Sequence, residues 1–157
     1  MRVLVVSDTH GDERSFARAI ESQQDAKIVF FLGDGIRDAK NLSERFPDRE
    51  FYIVRGNCDF GFWTLYPETG IKTVENRKVF YTHGHRYHVK SGIDSIISAA
   101  TARGADILLF GHTHQPFCEY RDGLYVFNPG SLGRGGSYGY IDITASGIVP
   151  RILEMKR

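Results

Sequence analysis

The hydrophobic and polar positions alternate between short apolar runs and amphipathic stretches over the first two thirds of the chain. Apolar runs rich in β-branched residues are typical of strands that are buried on both faces. Such runs lie at residues 2–7, 27–32, 50–54 and 105–110. Apolar residues at helical spacing predict helices between them, at residues 12–23, 37–46 and 91–104. The pattern therefore predicts alternating strands and helices up to residue 110.

Other segments read as hairpins. The paired residues that mark their turns are Glu75-Asn76 within residues 72–82, then Asp122-Gly123 and Ser146-Gly147 in the last third. A chain that alternates strand and helix and then becomes mostly antiparallel favours two packed sheets over one doubly wound sheet. We therefore expect an α/β fold, a layered α-β-β-α sandwich of two packed mixed sheets flanked by helices. It is expected to form a single domain over residues 1–157.

Composition narrows the class of protein. The chain has 157 residues, of which 41% are hydrophobic and 25% charged, as in one globular domain. A net charge of +1 gives no strong nucleic-acid signal and no attraction to an anionic membrane. No run approaches the roughly 18 apolar residues of a membrane span, and the first residues do not resemble a signal peptide. Cys58 and Cys118 lie in unlike contexts, which argues against a disulfide framework. We expect a cytoplasmic protein.

The loops that follow the predicted strands carry side chains of the metal-ligand type. These are Asp8, His10, Asp34, Asn57, His83, His112 and His114. Each taken alone has an ordinary interpretation as a helix cap, a turn residue or a core histidine. However, five of the six histidines of the chain fall in these loops. Ligands bind at the carboxyl ends of strands in open α/β sheets, so the set is expected to form one site.

Five short segments in these loops resemble the marks of a known family. They are "DTHG" at 8–11, "GDG" at 33–35, "GNCD" at 56–59, "THGH" at 82–85 and "GHTH" at 111–114. In this order they resemble the calcineurin-like metallophosphoesterase superfamily. The resemblance covers residues 3–131, including "NPGS" at 128–131. The short chain, "GNCD" and "NPGS" are most similar to the YfcE-type branch of small phosphodiesterases.

The resemblance implies a site for two divalent transition-metal ions. One ion would be held by Asp8, His10, Asp34 and His114, and the other by Asp34, Asn57, His83 and His112, with Asp34 bridging. Mixed imidazole and carboxylate ligands suit manganese, iron, zinc, nickel or cobalt better than magnesium or calcium, and manganese is the expected metal. A hydroxide between the two ions would attack phosphorus in line.

The proton donor to the leaving oxygen is less clearly implied. Relatives often carry histidine where this chain has Cys58, so either His85 or Cys58 would take that role, unless the leaving group needs no acid. Asp59 is expected to orient a neighbouring ligand. Arg134 is expected to contact phosphate oxygens, and a solvent-exposed loop arginine is the equally weighted alternative.

Residues 60–70 form an aromatic loop that is expected to cover the mouth of the site. Its large side chains are Phe60, Phe62, Trp63, Leu65 and Tyr66. They would either stack on a base or an aryl ester, or pack on the protein or on another subunit. Packing on another subunit would make the protein a homo-oligomer.

The expected function is the hydrolysis of a small phosphoester by a metal-dependent phosphodiesterase. A phosphomonoesterase with the same site is one alternative, and it would favour additional cationic residues, of which few are evident. The other is a protein-interaction scaffold, because the eukaryotic retromer subunit of this fold is a protein-binding module. All seven ligand positions hold competent residue types here, which favours the enzyme.

Overall fold

The computed structural model describes residues 1–133 and 136–155. Ten strands and three α-helices follow in this described part: β1 (Arg2–Val6), α1 (Glu13–Ser22), β2 (Ala26–Phe31), α2 (Ile36–Arg45), β3 (Glu50–Ile53), β4 (Thr69–Val74), β5 (Arg77–Thr82), α3 (Asp94–Ala102), β6 (Ile107–Leu109), β7 (Pro116–Arg121), β8 (Leu124–Pro129), β9 (Ser137–Thr144) and β10 (Gly147–Glu154). A short 3₁₀ turn, His85–Tyr87, follows β5. Within these ranges no helix is long and apolar enough to cross a membrane.

The strands form two five-stranded mixed sheets. The first has the order β10-β9-β1-β2-β3, in which β1, β2 and β3 are parallel and β9 is antiparallel to both of its neighbours. The second has the order β4-β5-β6-β8-β7, in which β5, β6 and β8 are parallel. The three predicted hairpins are confirmed as β4–β5, β7–β8 and β9–β10. The pattern predicted a mostly antiparallel last third. Strand β8 differs from this expectation, since it pairs with β6 in parallel.

Strand β1 shows how the layers are built. Its side chains alternate, so Val3 and Val5 pack between the two sheets, where Phe127 of the second sheet lies. Leu4 and Val6 face the other way and pack in the cluster that includes α1 and α2. A third cluster places α3 on the outer face of the second sheet. The predicted α-β-β-α sandwich is therefore confirmed. The run at 2–7 is continuously apolar because this strand is buried on both faces.

The close approach of the two sheets gives a first prediction. A Cβ added at Gly139 of β9 would overlap the Cζ of Phe127 and lie 2.8 Å from the carbonyl oxygen of Arg151. Gly139→Ala is therefore expected to lower the free energy of unfolding by about 2 kcal/mol, measured by urea denaturation. Gly147→Ala is the matched control, since no atom lies within 4 Å of its added Cβ. Equal stability of the two variants would contradict the tight packing at Gly139.

Candidate metal centre

The candidate ligands lie at one edge of the molecule, where parallel strands of both sheets end. In the first sheet they follow β1, β2 and β3; in the second they follow β5 and β6. Main-chain bonds join these loops: Asp8 N–H donates to Gly33 O at 2.9 Å, and Gly111 N–H donates to His83 O at 3.0 Å. The structure brings together all seven side chains that the strand ends predicted: Asp8, His10, Asp34, Asn57, His83, His112 and His114.

Five of these residues have a left-handed backbone. The φ angles lie between +47° and +68° at Asp8, His10, Asp34, His112 and His114. Residues other than glycine rarely adopt this region, and such strain concentrates at functional sites. Left-handed turns at His112 and His114, and not strand-like alternation, direct the two imidazoles to different clusters.

Two glycines allow the ligand loops to approach one another. A Cβ at Gly56 would overlap Oδ1 of Asp34 and lie 2.7 Å from the Asp34 nitrogen. A Cβ at Gly111 would overlap Oγ of Ser7 and lie 2.8 Å from Oδ2 of Asp8. The glycines of "GNCD" and "GHTH" are therefore required for close contact between the loops.

The first cluster of ligand atoms is formed by Asp8, His10 and His114. Nε2 of His114 lies 3.0 Å from Oδ1 of Asp8, and Nε2 of His10 lies 3.8 Å from the same oxygen. The two Nε2 atoms are 3.4 Å apart. Oδ1 of Asp8 is buried and makes no hydrogen bond within the described residues. A buried carboxylate oxygen without a donor, facing two imidazole nitrogens, fits a bound cation.

The second cluster is centred on Nε2 of His83. Nδ1 of His83 faces the carbonyl oxygen of Leu32 at 2.7 Å, so Nε2 is the atom available to a proton or a cation. Three potential ligand atoms converge on it: Asn57 Oδ1 at 3.1 Å, His112 Nδ1 at 3.2 Å and Asp34 Oδ2 at 3.4 Å. This donor set of oxygen and nitrogen also fits a transition-metal cation.

Asp34 lies between the two clusters. Its Oδ2, 3.4 Å from His83 Nε2, is also 4.0 Å from His10 Nε2. One ligand atom each from Asp8, His10 and His114 lies within 4.8 Å of the others, and the same holds for Asp34, His83 and His112. A third group of this kind joins His10 and Asp34 to Cys58. One carboxylate therefore contributes to ligand groups on both sides of it.

The protonation states favour cation binding. Burial raises the pKa of Asp34, but the hydrogen bond and charge of His83 and the N–H of Cys58 outweigh it, so this pKa lies well below its usual range. Burial, followed by the charge of His83, lowers the pKa of His112 to about 4. Burial also lowers the pKa of His83, but contact with Asp34 and Asp8 raises it overall, and a metal would replace that proton.

Asp59 supports the ligand loops from beneath. Its side chain is 5% exposed, and its two oxygens accept hydrogen bonds from four main-chain N–H groups. The donors are Asp34 at 2.8 Å, Gly56 at 2.7 Å, Gly35 at 2.8 Å and Ile36 at 2.9 Å. These bonds tie the loop after β2 to the loop after β3.

His85 and Cys58, the two candidate proton donors, lie at the border of the site. The ring centroid of His85 is 5.4 Å from that of His83, and its Nδ1 is buried without a hydrogen bond in the described part of the chain. Burial, followed by the charge of His83, lowers the pKa of His85. Burial, followed by the charge of Asp34, raises the pKa of the Cys58 thiol to about 11, so it remains protonated at neutral pH.

Two residues that brace the site were not identified from the sequence. Asp38 Oδ2 accepts hydrogen bonds from Thr9 Oγ1 at 2.6 Å and Gly11 N at 3.0 Å. Asn128 Nδ2 donates to Gly111 O at 3.0 Å and to Thr113 Oγ1 at 3.1 Å, which supports the "GHTH" loop. The "NPGS" segment was a signal for Asn128. Asp38 gave none, because it lies inside a helical pattern.

The aromatic loop divides into a packed and an exposed part. Phe62 and Tyr66 are partly buried and pack against the cluster that includes α2. Phe60, Trp63 and Leu65 are 73%, 62% and 69% exposed. Arg134, the predicted phosphate contact, lies outside the described residues.

Two recesses adjoin the ligand clusters. The Ser131 recess has a volume of about 750 Å³ and is lined by residues that include His10, His114 and Ser131. The Phe60 recess has a volume of about 470 Å³ and is lined by residues that include His10, Asp34 and Phe60. Because His10 lines both, the recesses meet at the ligand site.

Comparison with known families agrees with this geometry. Residues 1–145 match the model of the calcineurin-like phosphoesterase superfamily domain. The chain belongs to this family. Calcineurin-like phosphoesterases are metal-dependent, and the described residues include the candidate ligand groups given above.

Individual relatives of known sequence or structure are also similar to this chain. The chain is 30% identical to the phosphodiesterase YfcE of Escherichia coli K12 over 168 residues, which cover 90% of this chain and 88% of that protein. The crystal structure of a predicted phosphoesterase from Streptococcus pneumoniae TIGR4 superposes with a TM-score of 0.84 at 26% identity, covering 98% of this chain and 89% of that one. The family and these relatives support a hydrolase.

The same fold also occurs in a vacuolar sorting protein. Vacuolar Protein Sorting 29 from Cryptosporidium parvum superposes with a TM-score of 0.75, covering 99% of this chain and 98% of that one. Its sequence identity is 17%, so this likeness concerns the fold alone.

Proposed function

We propose that this protein is a phosphodiesterase that hydrolyses a small phosphoester at a site for two divalent transition-metal ions. The observation that carries the proposal is the position of Asp34, whose carboxylate contributes to ligand groups on both sides of it. Asp8, His10, Asp34 and His114 would hold one ion. Asp34, Asn57, His83 and His112 would hold the other.

The proposed metal is manganese, with iron, zinc, nickel and cobalt as alternatives, because mixed imidazole and carboxylate ligands suit all five and do not choose among them. When bound, two such ions would supply an activated water for in-line attack and positive charge for the phosphate. The protein holds the ligands in place for this chemistry. Asp59 accepts hydrogen bonds from the main-chain N–H groups of Asp34 and Gly56. Asn128 donates a hydrogen bond to Gly111 O and so supports the loop that carries His112 and His114. Arg134 is retained as a phosphate contact in the proposal.

The two recesses support a diester over a monoester. A phosphodiester carries an ester group on each side of the phosphate, whereas a monoester carries one. The Ser131 recess and the Phe60 recess open from the ligand site and share His10, so each can receive one ester group. A phosphomonoesterase with the same site remains the second candidate within this chemistry.

We assign protonation of the leaving oxygen to His85, whose ring lies beside His83, because a thiol with a pKa of about 11 is a poor acid at neutral pH. Burial lowers the pKa of His85, so at neutral pH it would donate from its minor protonated form. His85→Gln is expected to lower kcat for diphenyl phosphate about a hundredfold and for bis-p-nitrophenyl phosphate less than tenfold. The reason is that the weakly basic p-nitrophenolate leaves without full protonation. Cys58→Ser is the control and should preserve the ratio of the two rates. If Cys58→Ser changes that ratio and His85→Gln does not, the assignment is wrong.

The alternative of another class is a protein-interaction scaffold on this fold. A scaffold would not need a buried Asp8 oxygen that faces two imidazoles without a hydrogen bond in the described residues, or three ligand atoms around His83. Those features favour the enzyme.

We further propose a cytoplasmic location and a homo-oligomer in which a second copy covers Trp63 and Leu65, two of the exposed side chains of the aromatic loop. Light scattering of wild type beside Leu65→Lys tests the oligomer, and a wild-type monomer would refute it.

The direct test of the function is hydrolysis of bis-p-nitrophenyl phosphate beside p-nitrophenyl phosphate by chelator-treated protein, before and after manganese is added back. We expect no activity without metal and a higher kcat/KM for the diester with it. Hydrolysis of the monoester alone would favour the phosphomonoesterase. A metal-loaded protein inert on both esters would favour the scaffold.

A further inference from the structure

The Phe60 recess combines two features that the ligand site does not use. It lies between α2 and the loop after β3, and it opens beside Asp34. The residues lining it include an aromatic side chain, Phe60, and a cation, Arg37. A recess beside a phosphoester site that offers both a ring and a positive charge has a definable ligand chemistry.

Phe60 has an exposed ring at this recess. Its neighbour Phe62 packs beside Tyr66, with ring centroids 6.2 Å apart, and both contact the cluster that includes α2. Phe60 is 73% exposed. An exposed aromatic ring beside a recess offers a face on which another ring can stack, whatever the substituents of that ring are.

Arg37 is an unpaired cation in the first turn of α2. Its side chain is exposed and makes no hydrogen bond or ion pair with any residue of ranges 1–133 and 136–155. Two of the carboxylates that line the recess are already engaged. Asp38 accepts from Thr9 and Gly11, and Asp59 accepts four main-chain N–H groups. The charge of Arg37 is therefore available to a ligand.

We propose that the Phe60 recess is a specificity subsite that binds an aromatic ester group of the substrate by stacking on Phe60, while Arg37 pairs with an anionic group carried by that same ester group. The substrate class is thus a phosphodiester with one aryl or heteroaryl group that bears a carboxylate or a second phosphate. This inference rests on the proposed function, because the phosphate must lie at the ligand site for its ester group to enter the recess.

A pair of substrates that differ in one carboxylate tests the role of Arg37. They are 4-nitrophenyl phenyl phosphate and 4-nitrophenyl 4-carboxyphenyl phosphate, assayed with manganese-loaded protein at low ionic strength. Wild type is expected to prefer the carboxylated ester about threefold in kcat/KM, the scale of a solvent-accessible ion pair, and added salt should weaken the preference. Arg37→Gln should abolish the preference. Arg14→Gln, an exposed arginine of α1 that lines a different pocket, is the matched control and should keep it.

The role of Phe60 is tested on the same two esters. Phe60→Ala is expected to raise KM for both about tenfold with little change in kcat, because stacking contributes to binding and not to the reacting bonds. Tyr120→Ala removes an exposed aromatic ring of β7 that lines neither recess, and it should leave both constants unchanged.

The outcomes separate this inference from the proposed function. If wild type hydrolyses both esters but shows no preference, or if Arg37→Gln lowers both values of kcat/KM equally, the subsite is refuted and the phosphodiesterase stands. If the metal-loaded wild type hydrolyses neither ester, the proposed function fails and the subsite fails with it.

Discussion

Asp34→Asn is expected to lower kcat/KM for bis-p-nitrophenyl phosphate about a thousandfold or more. The Asp34 carboxylate belongs to the ligand group of His83 and His112 and lies 4.0 Å from Nε2 of His10 in the other cluster. An amide in its place would therefore weaken both proposed metal positions and remove a negative charge between them. Charge stabilisation by bound metal is worth several kcal/mol in the transition state, which corresponds to this factor. The measurement is steady-state kinetics at saturating manganese, with bound metal determined on the same samples.

The control for this variant is a change of the same kind elsewhere. Asp122→Asn lies in the turn between β7 and β8, where φ is +50° and asparagine is well tolerated. It should retain full activity and metal content. Thermal unfolding of apo Asp34→Asn should remain cooperative, since Oδ1 still accepts the Cys58 N–H, 2.8 Å away in the wild type. An Asp34→Asn protein with near wild-type activity would refute the bridging role.

Asp59→Ala is expected to lower the free energy of unfolding by about 4 kcal/mol. The change leaves four main-chain N–H groups without their acceptor in a buried place, and each lost acceptor costs roughly 1 to 3 kcal/mol, reduced here where water can enter. The N–H groups belong to loops that carry ligands, so manganese affinity should fall as well. Urea denaturation and metal titration measure the two effects.

Two further variants serve as controls for the stability effect expected of Asp59→Ala. Asp59→Asn keeps one acceptor oxygen and should lose about half as much stability. Asp48→Ala removes an exposed carboxylate that pairs with Lys27, so it should change stability by less than about 0.5 kcal/mol. If Asp59→Ala is as stable as Asp48→Ala, the four hydrogen bonds do not hold the loops together.

The layered fold was predictable because burial leaves a clear pattern. The run at 2–7 is continuously apolar because Val3 and Val5 face the other sheet while Leu4 and Val6 face the helices. Paired turn residues such as Asp122-Gly123 marked the hairpins. The parallel pairing of β8 with β6 was not predictable, because strand order depends on contacts between distant residues and leaves no local pattern.

The composition of the candidate site was predictable, whereas its geometry was not. Residue types at strand ends identified Asp8, Asp34 and His83, since carboxyl ends of parallel strands meet at one edge. The left-handed backbone of His112 and His114 left no signal in the sequence. Asp38 also gave no sequence signal, because it stands in an ordinary helical pattern, although its carboxylate accepts hydrogen bonds from Thr9 and Gly11.

The measurement that tests the central claim most directly is the number of manganese ions bound per chain, titrated in parallel with activity on bis-p-nitrophenyl phosphate. The chelator-treated protein would be titrated with Mn²⁺, with bound metal measured by elemental analysis and activity followed at each point. The proposed site predicts two ions per chain and activity that reaches its maximum only as the second binds. Full activity with one ion or with none would contradict a dinuclear phosphodiesterase.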